Sequence, residues 1–210
     1  MARGSSGLAG STEGDATLWA VAPYTIRTIG DPVLKQRASD VTDVDGRLVR
    51  IIDDMFDTMY DAPGLGLAAP QVGIQKRFFV YDWNDDPRVL INPVIEERSG
   101  EWSYLEGCLS VPGLHWEIVR PKEIFIRGFD LDGNEVTIEA DELEARLFQH
   151  ELDHLDGVLL VEHLTDEQQR EAKRALREMA LADPGTAGHA EKLGLSASAS
   201  GLALPPSARP

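Results

Sequence analysis

Glu142-Leu143-Glu144-Ala145-Arg146-Leu147-Phe148-Gln149-His150-Glu151-Leu152-Asp153-His154-Leu155 reads as one helix, and the rest of the chain is best understood from it. His150 and His154 stand four residues apart, slightly more than one helical turn. Both imidazoles therefore leave the same face and can grip one metal ion. Glu151 lies beside that ion, where it can take a proton from a bound water. This is a hydrolase's equipment. The plain alternative is two solvated or hydrogen-bonded histidines on an amphipathic helix.

Outward from this helix, Asp45 to Tyr60 carries Leu48, Val49, Ile51, Ile52, Met55, Phe56 and Met59, the spacing of a helix with one buried face. Pro63-Gly64 stops it. Arg77 to Trp83 is rich in aromatic and β-branched residues and reads as a strand. Glu123 to Asp130 and Glu135 to Ala140 read as two more, with Asp132-Gly133 between them as a hairpin turn. Thr165 to Ala182 reads as a last helix, with Thr165 and Gln168 in the capping-box relation. Strands in the middle and helices around them predict an α+β fold of mainly antiparallel sheets. The sheets should pack around the central histidine-bearing helix, with an N-terminal amphipathic helix and a C-terminal helix. Residues 1–22 and 183–210 are rich in Gly, Ser and Ala and read as flexible tails around a single domain at 24–182.

The chain has 210 residues and a formal net charge of −16, which argues against DNA binding or broad contact with any nucleic acid. No apolar run approaches the length of a membrane span, and the N-terminus lacks the pattern of a secretory signal. The single cysteine, Cys108, has no intrachain partner, which fits a reducing compartment and predicts a cytoplasmic protein.

Two histidines leave a catalytic metal one protein ligand short of the usual three plus water. A histidine six residues after the second would serve, but Leu160 holds that position. A glutamate from a later helix, Glu171 or Glu178, remains open by spacing alone. Cys108 is the better candidate: a thiolate is a soft ligand suited to zinc or ferrous iron. It lies in Leu105-Glu106-Gly107-Cys108-Leu109-Ser110-Val111-Pro112, where Gly107 permits close backbone approach. A further segment, Gly64-Leu65-Gly66-Leu67-Ala68-Ala69-Pro70-Gln71-Val72-Gly73, makes room near the backbone and offers the Gln71 amide. On its own it is equally an ordinary Gly-rich turn.

Together, Gly64 to Gln71, Glu106 to Ser110 and Gln149 to His154 resemble, in that order, three signature segments of the peptide deformylases. Ile29-Gly30-Asp31-Pro32-Val33-Leu34, Ala145-Arg146 and Leu155-Asp156-Gly157 extend the likeness over roughly residues 24–165. Two positions depart from it. Glu142 stands where many members have Gly, and His115 where many have a basic residue.

The resemblance implies hydrolysis of the formyl group from the N-formylmethionine of newly made polypeptides, releasing formate. It implies Cys108, His150 and His154 as metal ligands, with Fe2+ as the native ion and Zn2+, Ni2+ or Co2+ as substitutes. The hydroxide formed from the metal's water is the expected nucleophile, with Glu151 as general acid and base. Gln71 and the Leu109 N–H are the expected donors to the developing oxyanion, and Gly66 the residue that holds the peptide backbone. Glu106 and Gln149 are expected to support the ligands, while Asp153 either orients one or faces solvent. Leu65, Leu143 and Leu147 are candidates for the methionine pocket, each of them equally readable as a core leucine. Arg170, Lys173, Arg174 and Arg177 form one basic stripe on the last helix, read first as a solvated face and second as a contact to ribosomal RNA.

Overall fold

The computed structural model describes residues 24–182. Both expected tails lie outside the described residues. Among these residues the elements run α1 (Gly46–Asp61), β1 (Gly66–Ala68), β2 (Phe78–Asp82), β3 (Pro87–Ser99), β4 (Trp102–Cys108), β5 (Val111–Arg120), β6 (Glu123–Phe129), β7 (Glu135–Asp141), α2 (Glu142–Asp156) and α3 (Asp166–Ala182). Every strand pairing is antiparallel. Five strands form one sheet in the order β1-β2-β3-β6-β7, and β4-β5 forms a separate hairpin. The fold is α+β, as the pattern of elements predicts.

The helices start where their capping chemistry says. The Asp45 carboxylate accepts from the N–H groups of Arg47 and Leu48, satisfying two donors that the first turn of α1 leaves free. Thr165 and Gln168 cap α3 reciprocally: Thr165 N donates to Gln168 Oε1 at 2.9 Å and Gln168 N to Thr165 Oγ1 at 3.3 Å.

Strand periodicity distributes side chains between two cores. Phe79 and Tyr81 of β2 face one side with Ile126, Phe148, Leu152 and Leu155; Phe78 and Val80 face the other with Ile52, Met55 and Met59. The sheet therefore carries α1 on one face and α2 on the other. Tyr81 meets Phe148 edge-on with ring centroids 4.9 Å apart, pinning α2 to the sheet.

A third apolar cluster joins Cys108, Val111, Leu114 and Ile118 of the hairpin to Leu160, Leu164 and Ala172. It seats the end of the chain's described part against β4-β5. Helix α2 thus lies between the five-stranded sheet and the hairpin, with ten of its fifteen residues buried.

Four strands beyond the three expected are present. β1 spans three residues, too few to show alternation among glycines and alanines. β3 shifts register between Ile91 and Val94 and again between Ile95 and Glu97, so its alternation breaks. Asn92 sits in the first shift at φ +51°, and its side chain bonds both the N–H and the C=O of Val41 at 2.9 Å.

Candidate active site

The site is assembled from α2, the β4-β5 turn and β1. His150 and His154 share the inner face of α2, ring centroids 5.0 Å apart. Cys108 ends β4, just where the hairpin register shifts, and Leu109-Ser110 makes the turn. Ligand atoms of Cys108, His150 and His154 all lie within 4.8 Å of one another. Cys108 Sγ is 3.1 Å from His154 Nε2. All three residues are buried. Glu171 and Glu178 are exposed on α3 and take no part in this group, so the reading with a glutamate as third ligand falls away.

The donor chemistry fits a soft-to-borderline divalent cation. His150 turns Nδ1 to Glu106 Oε1 at 2.7 Å, which fixes its ring and leaves Nε2 for the centre. Burial would raise the Cys108 thiol, but His154 and His150 pull it down to about 5, the direction that favours a thiolate donor. Burial would lower His150, and Cys108 and Glu106 raise it well above the usual histidine range.

Glu151 is buried next to the ligands, and its Oε2 has no hydrogen-bond partner among the described residues. Burial is the main cause of its rise to about 7, against the opposing pull of His150 and His154. A carboxyl kept near neutrality with one free buried oxygen is equipped to receive and return a proton. Its neighbour on β1 is Gly66: a Cβ there would sit 2.7 Å from Glu151 Oε1 and 2.7 Å from Leu147 Cδ1.

Gln71 is fixed at both ends of its amide, with Oε1 accepting from Ala68 N at 2.8 Å and Nε2 donating to Ser110 Oγ at 3.2 Å. This brings the Gly-rich segment against the Leu109-Ser110 turn. The Leu109 side chain closes over Gly64, where an added Cβ would meet Leu109 Cδ1 at 3.2 Å. Leu65 and Leu143 are half-buried at the edge of the sheet-α2 core with Trp83. Leu147 is fully buried within that core, a floor beneath Gly66 more than a wall open to solvent.

Glu106 is the hub behind the ligands. Its carboxylate is fully buried and receives His150 Nδ1, Arg120 Nη2 at 2.7 Å, Arg120 Nε at 2.9 Å and Arg146 Nη1 at 2.6 Å. Burial alone would raise it; the bonds from His150 and Arg120 hold it well below the carboxylate range. Arg146 reaches on to Trp102 O at 2.8 Å and Ile118 O at 3.0 Å, lacing α2 to both hairpin strands.

One expected position needs correction. Gln149 does not support the ligands: its amide donates to Pro121 O at 3.0 Å and Ala145 O at 2.9 Å, because it leaves α2 toward the β5-β6 connection. Asp153 neither orients a ligand directly nor simply faces solvent; it pairs with Arg120 and His163. The sequence does not mark Arg120, and it holds Ser110 and Arg146 only as members of the quoted segments, without a role. No local spacing marks an arginine that will be buried on a carboxylate 14 or 40 positions away.

The fold and this constellation are those of a hydrolase in which two histidines of a His-Glu-x-x-His helix and a cysteine from the facing hairpin form a group that could hold a metal ion. A family model for polypeptide deformylase matches residues 23–170. The chain is 46% identical to the peptide deformylase of Carboxydothermus hydrogenoformans, over 68% of this chain and 93% of that protein. It is 54% identical to that of Agathobacter rectalis, over 66% of this chain and 87% of that protein. The crystal structure of the Legionella pneumophila peptide deformylase superposes with a TM-score of 0.74 at 37% identity, covering 78% of this chain and 98% of that one. The chain belongs to the peptide deformylase family, metal-dependent enzymes that remove formyl groups from nascent peptides.

Proposed function

We propose that this chain deformylates the N-terminal N-formylmethionine of new polypeptides through a cation held by Cys108, His150 and His154. The observation that carries this is the convergence of one sulfur and two imidazoles within 4.8 Å, beside a carboxyl with a free buried oxygen. Ferrous iron is the proposed native ion, since a thiolate donor suits it, with zinc, nickel and cobalt as substitutes. A divalent cation there supplies Lewis acidity and lowers a water's pKa from about 15.7 towards about 7.

The chain's own groups do the rest. Glu151 accepts the proton of the attacking water and delivers it to the leaving α-amine, a double task suited to a carboxyl near 7. The formyl oxygen gains negative charge as its carbon becomes tetrahedral. The Gln71 amide, already fixed by Ala68 and Ser110, and the Leu109 N–H are the proposed donors, each typically worth about 3 kcal/mol. β1 is the edge strand of its sheet, so the backbone around Gly66 can hold a substrate peptide as an added strand. Leu65 and Leu143, at the half-buried rim, are proposed to receive the methionine side chain over the floor made by Leu147. Glu106 and its two arginines keep His150 aligned.

No helix among the described residues is long and apolar enough to cross a membrane. We place the enzyme in the cytoplasm, where its substrates emerge, and read the exposed stripe Arg170, Lys173, Arg174 and Arg177 first as a solvated face and second as a contact with the ribosome. The deciding experiment is formate release from formyl-Met-Ala-Ser by ferrous-loaded protein. Activity should vanish in Cys108→Ala together with bound metal. A Cys108→Ala protein that keeps its metal and its turnover would sink the assignment.

A further inference from the structure

The hydrogen-bond path that starts at the ring of His150 does not stop at Arg120. Glu106 grips Arg120 through Nη2 at 2.7 Å and Nε at 2.9 Å. Arg120 Nη1 then donates to Asp153 Oδ2 at 2.8 Å, and His163 Nε2 lies 2.7 Å from that same oxygen. Facing a carboxylate, this ring nitrogen must carry the proton and donate. The path His150–Glu106–Arg120–Asp153–His163 is continuous and reaches from the buried centre to a side chain 31% exposed.

The two ends of this path belong to different elements. His150 is on α2, while His163 closes the short 3-10 segment Leu160–His163 that follows it. Leu160 and Leu164, on either side, pack into the apolar cluster that also holds Cys108. The segment that doubles back after α2 therefore has a fixed seat, and His163 projects from it onto the last turn of the helix. The Asp153 carboxylate is 25% exposed, and His163 is its second partner beside Arg120. Held there, it and Glu106 grasp Arg120 from two sides, so the guanidinium plane cannot swing. A fixed guanidinium fixes Glu106, and Glu106 sets the direction of the His150 ring.

We propose that His163 is a positioning residue for the metal centre, acting through Asp153, Arg120 and Glu106 on His150. This rests on the metal site proposed above. A partly exposed pair with no such role would contribute little and leave the centre untouched.

Cobalt-loaded protein tests it, read by the thiolate-to-cobalt charge-transfer band, the visible d–d bands and the rate of Co2+ loss to a chelator. Partners of ligating histidines typically alter metal affinity by 10–100-fold; three links further out than Glu106, His163→Ala should speed Co2+ loss about three- to tenfold. It should also shift the d–d bands and lower kcat while KM stays near the wild-type value. His163→Gln, whose amide can donate to Asp153, should restore retention. A His163→Ala protein with wild-type bands and wild-type retention overturns the proposal, as does a His163→Gln protein as impaired as the alanine. A wild type without the thiolate band overturns the metal site and this inference together; a wild type showing the band beside an unaltered His163→Ala overturns this inference alone.

Discussion

Replacing Gly66 by alanine drives one methyl group into the narrowest gap of the site. The added carbon would stand 2.7 Å from both Glu151 Oε1 and Leu147 Cδ1, whereas ordinary contact begins at 3.4 Å. About 0.7 Å of relief is needed on two sides at once. Leu147 has no exposed surface and is locked in the core, so it cannot give way. Glu151 must move, or β1 must lift from α2. Misplacing a catalytic group by about 1 Å costs about 100-fold in rate, so kcat should fall on the order of 30- to 100-fold. Overpacking typically costs about 1–3 kcal/mol, part of which the lost flexibility of Gly offsets. A net loss of about 1–2 kcal/mol lowers Tm by about 2–8 °C for a chain of this size. Steady-state formate release at saturating metal, with calorimetry on the same sample, measures both. A kcat within threefold of wild type, at unchanged Tm, would show that β1 yields freely and that the close approach of Gly66 to Glu151 has no catalytic meaning.

Three further perturbations follow from the same geometry. Glu142 opens α2 at φ +43°, a left-handed conformation costing about 1–2 kcal/mol for a non-Gly residue. Its 3.4 Å pair with Lys122 is solvent-exposed and offsets little, so Glu142→Gly should raise Tm by about 1–4 °C; a lower Tm would contradict the strain. Glu151 is raised from 4.5 to about 7 in the fold, so its contribution to stability is intact below pH 4.5 and is lost as pH climbs through about 7. Metal-free Glu151→Gln should therefore gain on wild type by up to about 3 kcal/mol between pH 4.5 and 8 in urea unfolding, and a gain independent of pH would refute the buried-carboxyl reading. Reversing Arg170, Lys173, Arg174 and Arg177 to Glu should weaken co-sedimentation with ribosomes at low salt while leaving tripeptide turnover unchanged; undiminished co-sedimentation would return the stripe to a solvated face.

What the sequence discloses and what it hides divide along physical lines. α2 was legible because a 3.6-residue period and a His-Glu-x-x-His spacing are local, and α1 because its apolar stripe is local too. The hairpin β6-β7 announced itself through Asp132-Gly133, and α3 through Thr165 and Gln168. β1 and β3 were hidden, the first by its brevity and the second by two register shifts that break alternation. Ligand softness and the adjoining Gly107 favoured Cys108 over Glu171 or Glu178 as partner of two histidines more than 40 positions away, and the resemblance to a family strengthened that choice, but spacing alone excluded neither glutamate. The roles of Arg120 and Arg146 were hidden for the opposite reason: an arginine in sequence reads as surface, and only the fold reveals a buried carboxylate waiting for it.

That carboxylate explains how one site can be built from two elements that share few apolar contacts near it. The candidate ligands come from α2 and from the β4-β5 hairpin, and between them lie Glu106, Arg120, Arg146 and Asp153 instead of leucines. Burying such charges is expensive and rarely increases net stability over a well-packed apolar contact. A greasy contact, however, tolerates a slide of one residue, whereas four directed bonds onto one carboxylate do not. Arg146 reading the carbonyls of Trp102 and Ile118 sets where the helix sits along both strands, and Glu106 reading His150 sets how the ring faces. The network therefore fixes register. Without it Cys108 and the imidazoles of α2 would still be buried and packed in the same protein, but by apolar contacts that do not set the register of helix against hairpin.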